Sequence, residues 1–191
     1  NNAALVFESA VKDKALSDAT LGKVLKDMGE SVTQHGFRSS FKDLNPSPRM
    51  SFAKHGLQVF DIPITVLPSD IDDNDHVNNV VYLRWIFDVA LAHWNASASD
   101  AMKAVYGWVA TRHEIDYRRE AVFGDAIVAR TWIGAVDSRR FERNTEIVRT
   151  SDDHVLARGR SLWTLIARDT GRITRIPPDM VSLFSAYMHP A

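Results

Sequence analysis

The densest set of reactive side chains in this 191-residue sequence lies in one short stretch, Asp70-Ile71-Asp72-Asp73-Asn74-Asp75-His76. Alternate residues of an extended segment share a face, so Asp70, Asp72, Asn74 and His76, spaced by two, can converge on one side. The stretch runs into a helical pattern that Asn78 is suited to cap. A helix start presents free backbone N–H groups and a partial positive charge, which stabilise an anion such as the oxyanion of a tetrahedral intermediate. A carboxylate beside that end, Asp72, would then serve as nucleophile or base. Two other readings stand beside this one. The loop can be a capped helix start with solvated acids. It can also be a calcium loop, since Asp70, Asp72 and Asn74 match the first three ligand positions of an EF-hand; Asp75 in place of the turn glycine and Val81 in place of the bidentate glutamate argue against calcium.

Positioning such a loop takes a strand before it and a helix after it, and the pattern predicts both. Residues 57–66 read as a strand. Residues 78–94 read as a long helix in which Val80, Val81, Leu83, Trp85, Ile86, Phe87, Val89, Ala90 and Leu91 leave almost no polar face. A helix apolar nearly all round is expected to be wrapped on most sides. Residues 108–117, 125–135, 139–150 and 154–168 then read as strands, with Ser151-Asp152-Asp153 and Asp169-Thr170-Gly171 supplying turns. The expected fold class is α+β, one antiparallel sheet of about five strands curled around a central helix. Upstream, Leu21, Val24, Leu25, Met28 and Val32 form a helical stripe with Ser17, Asp18 and Thr20 available as caps. Asn45-Pro46-Ser47-Pro48 reads as linker. The expected division is an N-terminal extension over 1–55 and the main domain over 56–191.

Composition narrows the classes. With 23 basic and 24 acidic side chains the net charge is −1, which argues against a general polyanion binder and leads us to expect no nucleic-acid partner. The chain has no cysteine, which excludes a thiol nucleophile, a disulfide framework, Cys-ligated zinc and iron–sulfur clusters, and fits a reducing compartment such as the cytoplasm. No apolar run approaches the roughly 18 residues of a membrane span. The first residues, Asn1-Asn2-Ala3-Ala4-Leu5-Val6-Phe7, lack the basic region and apolar stretch of a signal peptide. His35, His55, His93, His113, His154 and His189 show no metal-ligand spacing and are expected to be structural or exposed. There is no G-x-S-x-G, Walker or dinucleotide motif, and no metal or cofactor is expected.

The segment Asp72-Asp73-Asn74-Asp75-His76-Val77-Asn78-Asn79-Val80-Val81-Tyr82-Leu83 resembles the loop and helix of hot-dog-fold thioesterases, in particular their 4-hydroxybenzoyl-CoA thioesterase-like and acyl-carrier-protein thioesterase branches. Ile115-Asp116-Tyr117-Arg118-Arg119-Glu120 resembles the Y-R-R-E segment of the carrier-protein branch. The resemblance runs over about residues 57–180. It implies hydrolysis of an acyl-CoA or acyl-carrier-protein thioester without cofactor. Asp72 would attack the thioester carbonyl or activate water, Asn74 would orient carbonyl or water, His76 would polarise Asp72 or shuttle a proton, and Glu120 would position water. The backbone N–H of Asn79 would contact the oxyanion. Tyr82, Arg139 and Arg140 are candidates for substrate binding, the arginines together with Ser138 and Arg143 for CoA phosphates. Family sites lie between subunits, so a homodimer or tetramer is expected, with Asp72 and Glu120 from one chain or from two. Asp75 stands where single-domain relatives often carry glycine, and the plant carrier-protein enzymes have two tandem repeats where this chain has room for one.

Other readings remain for these residues. Glu120 can be an ion-pair partner of Arg118 or Arg119, and the Ser138–Arg140 region can be a solvated hairpin with Asp137 and Glu142. Residues 5–44 resemble a piece of a phage-type integrase, with His35 and Arg38 matching its H-x-x-R; the nucleophilic tyrosine region and the other catalytic arginine are missing, so a packing remnant is expected. The alternatives to hydrolysis are an acyl-thioester-binding regulator and a hydratase. The set Asp72, Asn74, His76 and Glu120 is more than a sensor needs, and the H-F-P-G signature of hot-dog dehydratases is absent.

Overall fold

The computed structural model describes the backbone of residues 49–52 and, in full, residues 58–188. The predicted N-terminal helix, the integrase-like segment with His35 and Arg38, and also His55 and His189, lie outside the described residues. The described part holds six strands: β1 (Arg49–Phe52), β2 (Gln58–Thr65), β3 (Tyr106–Tyr117), β4 (Ala126–Val136), β5 (Arg140–Arg149) and β6 (His154–Ala167). Helices are α1 (Asn79–Ser97), α2 (Asp100–Val105) and α3 (Pro178–Leu183). The strands form one sheet in the order β1-β2-β4-β5-β6-β3, all neighbours antiparallel. Five of the six match the strands read from the sequence. The sixth, β1, sits where only linker composition was legible, and it pairs with β2 from Arg49 opposite Asp61 to Phe52 opposite Gln58.

Helix α1 connects β2 to β3, at or near opposite sides of the sheet, and lies across the sheet's inner face. Asn78 caps it as expected, its Oδ1 accepting the Val80 N–H at 3.0 Å. Tyr82, Trp85, Ile86, Val89, Ala90, His93 and Trp94 are buried along it. Strand alternation supplies the other half of the core: Ile127, Ala129 and Ile133 on β4, Phe141 and Ile147 on β5, Leu156 and Leu165 on β6. At Gly159 of β6 a Cβ would stand 2.6 Å from Ile86 Cδ1, so the absent side chain is what lets the helix lie this close. The expected wrapping of α1 is incomplete. Val80 is 73% exposed, Phe87 44% and Leu83 36%, an apolar stripe at helical spacing that is exposed among the described residues. Among the described residues no helix is long and apolar enough to cross a membrane.

Candidate active site

The loop between β2 and α1 is a tight, cross-braced turn and not an extended segment. Asp72 N–H donates to His76 O at 2.8 Å, Ile71 and Val77 form an antiparallel bridge, and Asp75 N–H donates to Asp72 O at 3.1 Å. Asp75 takes the left-handed conformation, φ 59°, which explains why glycine suits that position; aspartate tolerates it through its short polar side chain. The alternation argument therefore fails for Asp70. That residue ends a 3-10 turn, Pro68–Asp70, is 1% exposed, accepts the Leu67 N–H at 3.0 Å and pairs with Arg84 of α1 at 2.8 Å. It is a structural brace. Its O also accepts the Asn78 N–H at 2.9 Å, tying the cap residue to the turn.

These bonds leave the reactive groups free. One Asp72 carboxylate oxygen accepts the Asn74 N–H at 2.8 Å, and the other has no partner among the described residues. The side chains of Asn74 and His76 are exposed. The Asn79 N–H, first in the helix, has no acceptor among the described residues, while the Asn79 O accepts the Tyr117 hydroxyl at 3.0 Å. That bond anchors the helix start to the end of β3. The loop after β3 comes in from the other side: Val77 N–H donates to Ala121 O at 2.8 Å, and Ala121 N–H donates to the Tyr82 hydroxyl at 3.0 Å. The two predicted motifs thus meet within one chain, with Glu120 next to the residue bonded to Val77. Glu120 is exposed and makes no hydrogen bond or ion pair with Arg118, Arg119 or any other described residue.

Three expected substrate contacts are placed differently. Tyr82 is buried, and its hydroxyl serves as acceptor for the loop that carries Glu120; burial, partly offset by that bond, raises its pKa above the ordinary value. Arg139 and Arg140 sit at the β4–β5 turn. Thr65 pairs with Ala126 at the other end of β4, so in one chain the length of that strand, about 30 Å, separates this turn from the Asp72 loop. Asp137 organises the turn, accepting both arginine N–H groups at 2.8 Å and the Arg140 Nε at 2.7 Å. Arg143 does not join them. Alternation along β5 turns Arg140 outward and Arg143 into the core, where it is 6% exposed. Sequence spacing gave no signal for the Asp70–Arg84 brace, fourteen residues apart, or for the Tyr117–Asn79 bond. Among the described residues no three His, Asp or Glu side chains gather as metal ligands. His93 is a core residue stacked on Phe60, and His113 bonds Ser161 at 2.8 Å.

Comparison with known proteins agrees with this architecture. The model of the thioesterase-like superfamily matches residues 66–184. An acyl-[acyl-carrier-protein] hydrolase of Cuphea viscosissima is 27% identical over 73 residues, 38% of this chain but only 18% of that protein. Among solved structures, a 1,4-dihydroxy-2-naphthoyl-CoA thioesterase from Synechocystis superposes with a TM-score of 0.59 at 17% identity, covering 66% of this chain and 96% of the other. A hypothetical protein of Staphylococcus aureus, in complex with CoA, gives 0.62 at 19%, covering 69% and 84%. At these identities the structural likeness establishes the hot-dog fold.

Proposed function

The chain belongs to the thioesterase-like superfamily, and from that premise we propose that it hydrolyses acyl thioesters, releasing a carboxylic acid and a thiol. One observation carries the reading: backbone bonds, Asp70, the Asn78 cap and one Asp72 oxygen hold the β2–α1 loop, while the other Asp72 oxygen and the Asn79 N–H at the helix start have no partner among the described residues. Asp72 either adds to the thioester carbonyl or takes a proton from the attacking water. Both routes move charge onto the carbonyl oxygen, which the Asn79 N–H and the positive helix end then stabilise. Thiolate leaves, and water supplies the second oxygen of the acid. Asn74 orients the carbonyl or the water, His76 moves the proton, and Glu120 positions the water; their exposed side chains support those roles. The hydrolytic domain is the compact unit over residues 46–191, which includes β1 and so begins before the expected boundary at 56, and residues 1–45 are a separate unit.

The carrier is CoA or an acyl carrier protein. The CoA bound to the Staphylococcus aureus structure and the carrier-protein hydrolase of Cuphea viscosissima support this pair. We read the working form as at least a homodimer, supported by the Val80, Leu83 and Phe87 stripe, exposed among the described residues, and by β3, which among them pairs on one side alone. A cytoplasmic setting is the companion reading, supported by the absence of cysteine. The deciding experiment is thiol release from a panel of acyl-CoAs and acyl carrier proteins, wild type beside Asp72→Ala. Release that falls by roughly 10²-fold or more in the variant is expected, in line with loss of a catalytic carboxylate. Release that survives the substitution removes Asp72 from the chemistry, and no release from any thioester removes the activity.

A further inference from the structure

Between the second half of α1 and the sheet lies a cavity of about 200 Å³. Its walls are aromatic: Phe87 and Trp94 from the helix, Trp108, Phe141 and Trp163 from β3, β5 and β6, and Phe184 from the segment after α3. Two guanidiniums line this largely apolar space, and only that of Arg143 is buried; Arg168 is exposed, with its Nε donating to Tyr106 O at 2.8 Å. Arg143, 6% exposed, lines the cavity. Its Nη1 donates to His93 Nδ1 at 3.0 Å and to Thr131 Oγ1 at 3.2 Å. Both acceptors are neutral. His93 is held neutral because burial, and then the adjacent guanidinium, push its pKa far below the ordinary value. Among the described residues Nε and Nη2 of Arg143 have no partner, and no carboxylate pairs with the guanidinium. Burial pushes its pKa down to about 9, which leaves it charged at neutral pH.

A buried cation without a counter-charge is costly, and proteins ordinarily pair it. Here Nε and Nη2, a pair of donors that can grip a carboxylate with two parallel bonds, are bonded to no described residue. The space beside it is large enough for one ring and its acid group, since a cavity of about 150 Å³ admits benzene. We propose that this cavity binds a small aromatic carboxylate, the ring enclosed by the tryptophans and phenylalanines and the carboxylate paired with Arg143. The site is separate from the Asp72 loop of the same chain. Phe87, its nearest wall residue on α1, stands about 12 Å along the helix axis from Asn79. The ligand can be a product acid of the chain's own turnover or an independent acid, and the chemistry of recognition is the same.

Three of the five tryptophans line the cavity, so their fluorescence reports on it directly. The full chain would be titrated with phenylacetate, with its neutral amide phenylacetamide, and with hexanoate. Saturable quenching by phenylacetate is expected, at least about tenfold tighter than by the other two, the margin of one charge-assisted hydrogen bond and of aromatic contact. Arg143→Gln should abolish the preference of acid over amide. Ala90→Leu fills the cavity from the helix while keeping the guanidinium, and should abolish binding of all three. Equal binding of acid and amide, or no saturable signal in a folded wild type, overturns the proposal. Competitive inhibition of thioester hydrolysis by phenylacetate would identify the ligand as the reaction's acyl product, and binding with unchanged kcat and KM would identify an independent acid; both keep the site. Because the readout is binding, its failure leaves the hydrolase reading untouched, and loss of hydrolase activity leaves this one untouched.

Discussion

At the scale of single residues, the chain uses acids in three unlike ways within twenty positions. Asp72 keeps an oxygen free at a helix start, Asp70 is spent on Arg84, and Asp88 is neither. Asp88 sits on α1 with one carboxylate oxygen buried and unpartnered, and burial raises its pKa to about 6 despite the nearby Arg84. Between its ordinary 3.8 and about 6 the folded chain holds a proton that the unfolded chain has lost, so stability falls as pH rises through that window. Above it the full penalty of the charged form is present. Asp88→Asn should therefore raise the melting temperature at pH 8 and leave it nearly unchanged at pH 3.5, measured against wild type by calorimetry. His93 works in the opposite direction. Its folded form resists protonation, so stability drops as pH falls below the ordinary histidine range. Comparing variant with wild type at each pH separates the two, and an Asp88→Asn gain that did not grow with pH would contradict the assignment.

At the scale of elements, the site depends on how α1 is fixed. Its first turn is held by Asn78, by Tyr117 donating to Asn79 O, and by Arg84 reaching back to Asp70. Its middle is fixed by contact with β6, where Ile86 occupies the space a side chain at Gly159 would need. Gly159→Val should cost about 2 kcal/mol in denaturant unfolding, since neither the fully buried Ile86 nor the strand can give way freely. The shift this forces on α1 also moves the Asn79 N–H, so thiol release should fall more than the loss of folded protein explains. Ile86→Ala in the Gly159→Val background tests the cause: relief of the crowding should recover part of both losses, although Ile86→Ala alone destabilises by leaving a cavity.

At the scale of the whole molecule, one face of α1 and one sheet edge are unpartnered among the described residues. Val80, Leu83 and Phe87 are apolar and exposed, and the twelve residues of β3 have, among the described residues, a strand partner on the β6 side alone. Covering both with a second copy is the assembly we infer. Leu83→Glu places a charge in the middle of that stripe without touching the core or the Asp72 loop. Light scattering on the wild type should give a dimer or a larger symmetric oligomer, and the variant should shift toward monomer by at least about tenfold in dissociation constant, the effect of burying one uncompensated charge at an interface. A wild type that is monomeric at all concentrations would remove the assembly.

Read alone, the sequence determined the sheet and the helix inside it, because strand and helix periodicities are local and the apolar pattern over residues 57–168 is strong. It also determined the helix start, since Asn78 caps it by an interaction within two residues, and the resemblance of two motifs to hot-dog thioesterases led to the family. It missed β1, whose composition is that of a linker, because an edge strand there is fixed by pairing with β2. The tertiary structure alone decided the sorting of polar groups. Asp70 and Asp72 look equivalent in spacing, yet only the 3-10 turn and Arg84 make one a brace and leave the other free. Arg140 and Arg143 look like one basic cluster, yet the pleat of β5 sends the second into an aromatic cavity. Side-chain type and local spacing fix what a residue can do; burial and partners, which come from segments distant in the chain, fix which of those things it does.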